Sequence, residues 1–578
     1  MTGDSFTGPT AVQYGDGNTQ HNYFQAPREE VAWPLMVGVV PARAGAFQNR
    51  AEGSRLREAA AEGATVVPCQ VLTGMGGVGK TQLAADYAVQ AWDDGHGVDL
   101  LLWVTASSRD AVVAAFADAG TTIRGTDPAD PQRAAAGFLT WLRVSGSSWL
   151  IVLDDVADPA DLTGLWPPQV AHGRTVVTTR RRDHALSKGG GRQRVDVGLF
   201  TPAQAVAYLA EVLQADGRTE PDGELAGLTG DLGHLPLALS QAAAYITDAD
   251  ITVSHYRELL TRHARTLEAL SPDTRPDEQP RSMAAVWELS VDYADRLRPL
   301  GLARPMLELV AFLAPNGTPL NALTSGPALD HLTRHRTPPR EDDDPAAPRS
   351  EPVTQEEAEG ALRALHRLSL LTAPGTAHAH ADHPTDRVGA PAWDGRLVRV
   401  HQLVQRATRD TLPPARHDHT ARTAAGALTA TWPDIERDTT HAQALRACTT
   451  ALTTYAEPAL HHSDAYRLLV RAGRSLGESG QVAAAVSHFQ HLVDTSGKFL
   501  GPDHPDSLTT RHNLAHFHGE AGDPARAAAA LAELLKDQLR VLSTNHPYTL
   551  ATRHSLAHWR REARNTMGAP ADAGDKTS

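Results

Sequence analysis

Eight consecutive residues, Gly74-Met75-Gly76-Gly77-Val78-Gly79-Lys80-Thr81, carry the most specific chemistry in the chain. They fit G-x-x-x-x-G-K-[ST] in full, after a predicted buried strand (VVPCQVLT) and before a predicted helix (TQLAADYAVQAW). Glycines here let the backbone curl until successive N–H groups face phosphate oxygens. Lys80 brings a point charge to β- and γ-phosphates, and the Thr81 hydroxyl can ligate Mg²⁺. The helix that opens at Thr81 turns its positive dipole end toward the same anion. Gly74, Gly76, Gly77, Val78, Gly79, Lys80, Thr81 and Gln82 are therefore the candidate cradle.

A carboxylate for the metal should end a second strand, and WLIVLDD ends in Asp154-Asp155. Asp154 is the metal-side carboxylate and Asp155 can polarise an attacking water. Thr81 and Asp154 are thus the magnesium set. A third apolar run, RTVVTTR, ends at Arg180, whose guanidinium can sense or offset γ-phosphate charge. Lys80, Asp154, Asp155 and Arg180 form the candidate catalytic set. Taken alone, an acidic pair or an arginine at a strand end also reads as a solvated edge. No G-x-S-x-G or H-E-x-x-H motif supports hydrolase or protease chemistry. HAHADH (His378, His380, His383) has metal-binding residue types but no evident fourth ligand, and reads as a solvated loop.

These groups need a frame. VDLLLWVT joins the three runs above as a fourth short apolar segment, and helical stretches separate them. That alternation implies a doubly wound parallel sheet up to about Leu199, after which helices dominate. HRTPPREDDDPAAPRSEPVTQEE (335–357) is expected to be a disordered insertion, and 374–395 a long loop or hairpin. Near the end, DHPDSLTTRHNLAHF and NHPYTLATRHSLAHW align without a gap, with His504 and His546 42 residues apart. ESGQVAAA and EAGDPARAA repeat at the same period, as stacked helical hairpins do.

Composition bounds the rest. The 578 residues suggest roughly three to five domains. A formal net charge of −14 disfavours bulk electrostatic binding of nucleic acid. Two cysteines, Cys69 and Cys448, exclude a disulfide scaffold and fit a reducing cytosol. No signal peptide or membrane-spanning run is expected, so a cytoplasmic location and no membrane partner are.

The three strands in this order, followed by GHLPLALSQAAAYI, resemble the NB-ARC branch of the STAND NTPases over roughly residues 40–410. FQNR (Phe47–Arg50) is similar to that family's F-x-G-R motif with Asn49 for Gly, which implies that Arg50 contacts nucleotide. GHLPLA (Gly233–Ala238) resembles GLPLA except for His234, and implies that Pro236 packs on adenine. TTR resembles sensor 1, with Arg180 the sensor. VRVHQLVQRATRD resembles the MHD motif, with Gln402 for the acid, and implies that His401 reaches the β-phosphate of ADP. The bland alternative for His401 is a buried histidine on an amphipathic segment. A winged helix is implied between the GHLPLA and VRVHQ segments, clamping nucleotide rather than DNA. The 42-residue register resembles the tetratricopeptide variant of kinesin light chains. AVQYGDGN (Ala11–Asn18) resembles a RHIM-type amyloid signalling core, against the alternative of a plain polar arm.

The expected fold is therefore an α/β P-loop NTPase domain, then an all-α domain, a winged helix and an α-solenoid. The expected domains are an arm (1–30), a P-loop domain (31–198), a helical domain (199–272), a winged helix (273–412), repeats (413–567) and a tail (568–578). The expected function is an ATP/ADP switch with Mg²⁺. It rests with ADP, senses a protein or peptide through its repeats, and with ATP opens or forms a homo-oligomer. Slow hydrolysis resets it, and the arm takes an amyloid-type partner. One alternative is a transcriptional regulator using its winged helix, although residues 1–30 leave no room for the separate DNA-binding domain of such relatives. Another is a repeat scaffold with a structural nucleotide.

Overall fold

A computed structural model describes residues 31–61, 69–93, 98–125, 130–181, 191–270, 281–338, 351–372 and 397–568. The motif at Ala11–Asn18, residues 339–350 of the expected insertion, the loop with His378, His380 and His383, and the tail 569–578 lie outside the described residues.

The apolar runs become a six-stranded sheet in which each named pairing is parallel. Its strands are β1 (Leu35–Val37), β2 (Cys69–Thr73), β3 (Leu100–Thr105), β4 (Trp149–Val156), β5 (Gly173–Thr179) and β6 (Arg192–Asp196), in the order β1-β3-β4-β5-β2-β6. Strand side chains alternate between faces, so one sheet builds two cores. Leu72, Leu101, Trp103, Leu150, Val152 and Val176 enter one. Val71, Leu100, Leu102, Ile151, Leu153 and Val177 enter the other. Burial on both faces is why these segments read as continuous apolar runs. The order matters for the site. β5, which ends in TTR, lies between β2, which feeds the phosphate loop, and β4, which carries the aspartates.

Helices then dominate. Thr201 and Gln204 close a capping box at the start of Pro202–Ala215. Pro236 occupies the first turn of Pro236–Asp248, where its missing N–H leaves no bond unmade. Farther on come the helices Ala303–Val310, Gly326–His335 and Gln355–Arg367 and two short strands, β7 (Thr318–Pro319) and β8 (Leu397–Val398), which pair antiparallel. Arg399 bridges to Thr372 on the other side. The expected insertion 335–357 is overextended at both ends. His335 is the last residue of one helix, and a Thr354–Glu357 capping box starts the next. A strong cap overrides the acidic, proline-rich composition around it.

The repeats are helical hairpins: Ser463–Glu478 with Val482–Phe499, then Pro505–Glu520 with Pro524–Val541, then Pro547–Gly568. The 42-residue period has a packing cause. A Cβ on Gly477 would lie 1.9 Å from Phe517 Cε1, and one on Gly519 2.6 Å from Trp559. Each glycine seats an aromatic ring from the next repeat, and both members of the pair recur 42 residues on. No helix among the described residues is long and apolar enough to cross a membrane.

Candidate functional site

The site forms where β2, β4 and β5 end together. β2 runs into Gly74-Met75-Gly76-Gly77-Val78-Gly79, and the helix Lys80–Asp93 follows at once. Gly74, Gly77 and Gly79 hold φ of +154°, +77° and +94°, a region that side chains resist. Val78 is fully buried and anchors the loop in the core. Lys80 curls back, and Nζ donates to the carbonyl oxygens of Gly74 (2.9 Å) and Met75 (2.8 Å). Burial, reinforced by the Arg180 charge, lowers its pKa to about 8 against the pull of Asp155 and Asp154.

β4 carries a bulge at this level. Leu153 pairs with Val177 and Val156 with Thr179, so Asp154 and Asp155 together face the single residue Thr178. Asp155 adopts φ +57° there. Thr178 locks the bulge. Its hydroxyl donates to Asp154 Oδ1 (2.6 Å) and accepts from the Asp155 N–H (2.8 Å). Asp154 Oδ1 also accepts from Thr81 Oγ1 at 2.9 Å. Burial raises the Asp154 pKa, and its hydrogen bond from Thr178 opposes the shift.

Asp155 turns the other way. Its Oδ2 accepts from Asn316 Nδ2 (3.1 Å) and from Gln402 Nε2 (3.0 Å), and Arg180 Nε stands 3.8 Å from Oδ1. Arg180 thus meets Asp155, as the neighbouring strand ends allow.

Two further segments close over the loop. His401 caps the helix Gln402–Asp410, its Nδ1 accepting from Leu403 N–H at 3.1 Å. An accepting Nδ1 places the ring proton of a neutral imidazole on Nε2. Burial, with Arg180 and Lys80 nearby, lowers its pKa to about 3. A Cβ on Gly76 would lie 3.2 Å from Leu403 and 3.4 Å from His401 Cε1. From the other side, Leu237 N–H donates to Gly77 O at 3.3 Å, which brings Pro236 next to the loop. A Cβ on Gly77 would lie 3.1 Å from Leu237.

Arg50 is 6% exposed. Its guanidinium lies 4.3 Å from the centre of the Phe200 ring and donates to Gly198 O at 3.2 Å. Nη2 is buried and has no hydrogen-bond partner among the described residues. Gln82 behaves differently from its neighbours. Its side-chain amide holds the entering chain, accepting from Ala44 N–H (2.8 Å) and donating to Ala42 O (3.2 Å).

Thr178, Asn316 and the Gln402–Asp155 bond escape a reading of the sequence. Thr178 was within reach, since TTR places a hydroxyl one strand away from the aspartates. Asn316 and Gln402 sit 161 and 247 residues from Asp155, and no local pattern marks them.

Two known families match parts of the chain. The NB-ARC domain family matches residues 57–216 and the Tetratricopeptide repeat family matches residues 464–538. A "Nucleotide-binding leucine-rich repeat (NLR)-like protein" of Hyaloscypha variabilis is 26% identical over 295 residues, 46% of this chain and 29% of that protein. "Regulatory protein AfsR" of Streptomyces griseus is 34% identical over 200 residues, 33% of this chain and 19% of that protein. Its Streptomyces coelicolor counterpart is 28% identical over 303 residues, 50% of this chain and 30% of that protein. The chain thus spans less than a third of the length of the curated relatives it matches. A solved STAND protein with a tetratricopeptide repeat sensor from Pyrococcus horikoshii aligns over 92% of this chain and 79% of its own, at 12% identity and TM-score 0.38. The chain carries an NB-ARC domain, a P-loop module for binding nucleotide, followed by C-terminal tetratricopeptide repeats.

Proposed function

We propose that the chain is an ADP/ATP-dependent signalling switch whose phosphate loop is gripped by two lids. The observation that carries this reading is the convergence on adjacent glycines: Leu403 and His401 at Gly76, Leu237 at Gly77. One lid follows the GHLPLA segment and the other the VRVHQ segment, and diphosphate in the loop would touch both.

The roles follow from placement. The loop amides from Gly74 to Thr81 and the Lys80 ammonium hold the phosphates. His401 Nε2–H is the donor left to meet a terminal phosphate. Arg50 Nη2, buried and without a hydrogen-bond partner among the described residues, would meet nucleotide from the FQNR segment, and Pro236 would lend an apolar face to the base. Thr81 Oγ1 and Asp154 Oδ1 would hold Mg²⁺. Their 2.9 Å separation fits adjacent oxygens of an octahedral ion, about 3 Å apart for Mg–O bonds of about 2.1 Å. Bound Mg²⁺ would neutralise charge on the phosphates. Asp155 is the water-polarising carboxylate, and here Asn316 and Gln402 occupy its Oδ2. With Oδ2 held by the two amides and Oδ1 facing Arg180, withdrawal of the β7–β8 region would free the whole carboxylate to orient water. Arg180 senses the γ-phosphate beside it.

Residues 273–412 are the proposed winged helix, and residues 199–272 the proposed middle domain. A protein or peptide at the repeats would favour the open state, which ATP then stabilises and which self-associates. Coupling requires each nucleotide to prefer one state. The test is mass spectrometry of nucleotide released from the purified protein, plus its solution mass with ADP and with a slowly hydrolysed ATP analogue. Retained ADP and an ATP-dependent rise in mass are expected. Absence of measurable affinity for either nucleotide would overturn the proposal. The Streptomyces relatives are named regulatory proteins, and a second reading is a regulator that binds DNA through its winged helix. A steep salt-dependent shift of a DNA probe would support it.

A further inference from the structure

Away from the nucleotide pocket, three histidines come together where nothing in the switch uses them. His331 and His335 share one face of the helix Gly326–His335, four residues apart. His419 faces them from the helix Pro414–Thr431. One ring nitrogen from each lies within 4.8 Å of the others. The rings pack at centroid distances of 4.7, 6.0 and 5.2 Å.

The hydrogen bonding is unusual for a packing cluster. His331 is 1% exposed, and neither of its ring nitrogens has a hydrogen-bond partner among the described residues. His335 Nε2 is also buried without one. Buried polar groups are normally paired, and such exceptions call for a cause such as an ion. The third ring has a lone pair on show. Arg334 Nη1 lies 3.2 Å from His419 Nε2, and a guanidinium can only donate.

We propose that His331, His335 and His419 form a binding site for a divalent transition-metal ion of the zinc class. Three neutral imidazoles with a fourth position open to water or a further ligand suit zinc and its neighbours. Tetrahedral Zn–N bonds of about 2.0–2.1 Å need nitrogens about 3.3 Å apart, so the rings must close in by modest rotation. Arg334 is exposed and can swing to solvent to release His419. The charged groups around the cluster are Arg334, Arg416 and Arg422. Arg416 is already neutralised by Glu308, at 2.6 Å. These cations lower the affinity for a metal, but they oppose protonation too. Burial and the neighbouring charges hold His331 at a pKa of about 3 and His335 at about 4, so both rings are uncharged at neutral pH. A neutral imidazole keeps one ring proton and offers the lone pair of its other nitrogen, which is what a metal needs from each of the three rings. An ion here would tie the proposed winged helix to the first long helix after it. It would stiffen the joint through which the repeats act on the lids.

The test titrates the full-length protein with Zn²⁺ against a chromophoric chelator. The variants are His335→Gln/His419→Gln and, separately, His378→Gln/His380→Gln/His383→Gln. His331 is left alone because it is core. One tight zinc per chain is expected in the wild type and in the second variant, with at least hundredfold weaker binding in the first. Co²⁺ should give a four-coordinate absorption band with the same pattern. Unchanged nucleotide affinity in the first variant confirms that it folds. Wild-type zinc affinity equal to that of the first variant, or a zinc that follows the 378–383 histidines, would overturn the site.

Discussion

The phosphate loop and the repeat stack use the same two devices. In both, a histidine caps a helix by accepting the N–H two residues on: His401 from Leu403, His504 from Asp506, His546 from Tyr548. In both, glycines admit a neighbouring side chain. Gly76 and Gly77 admit Leu403 and Leu237, and Gly477 and Gly519 admit Phe517 and Trp559. What differs is the company. The repeat caps stand at partly open helix starts, with the His504 side chain 36% exposed. The cap at His401 lies within reach of the charges of Lys80 and Arg180. A local motif therefore does not reveal its job; the groups facing its far side do.

Removing charge from one region tests this first. Lys80→Ala should weaken nucleotide binding about a hundredfold, since a charged hydrogen bond to phosphate contributes about 1.5–3 kcal/mol. Calorimetry should show this loss while the repeats melt unchanged. Equal affinity in the variant would end the claim that the loop is the functional half.

Filling a glycine seat attacks the other region. Gly477→Ala places a methyl into the Phe517 ring and should destabilise by about 1–3 kcal/mol in a denaturant titration. Nucleotide affinity should hold, and a matching fall in it would show that the two regions are one cooperative unit.

pH separates them further. In the free protein Lys80 loses its proton near pH 8, whereas phosphate would retain it. Affinity should stay level to about pH 7.5 and then fall toward tenfold per pH unit. Lys80→Arg should abolish the fall. The free fold moves the opposite way. Between pH 8 and 10.5 the unfolded chain binds the proton that folded Lys80 has released, so stability from this residue rises with pH.

The smallest effect is the sharpest. His401→Ala and His504→Ala should each cost about 1 kcal/mol of stability by loss of a cap. Only the first should change the ratio of ADP to ATP affinity. An unchanged ratio would make His401 a cap and nothing more.

What was legible in the sequence was local or periodic. The phosphate loop is eight adjacent residues, and the 42-residue register repeats its own spacing. The sheet could be read because strands covered on both faces are uninterrupted apolar runs. Contacts between distant segments could not be. Gln402 reads as a lost acid, yet its amide donates to Asp155 across 247 residues. The cluster at His331 and His419 is equally silent, while the conspicuous HAHADH run diverts notice from it. The capping box at Thr354 was visible in TQEE but was outweighed by the prolines before it.

The glycine seats also describe how the solenoid can grow. Each is a socket for an aromatic plug, and the sockets fall at Gly477 and Gly519. One period further the position is Arg561, with an exposed side chain. A third ring has nowhere to plug in. Among the described residues the aromatic register therefore runs through two seats, and Arg561 turns to Glu562 instead, its Nε 4.0 Å from that carboxylate.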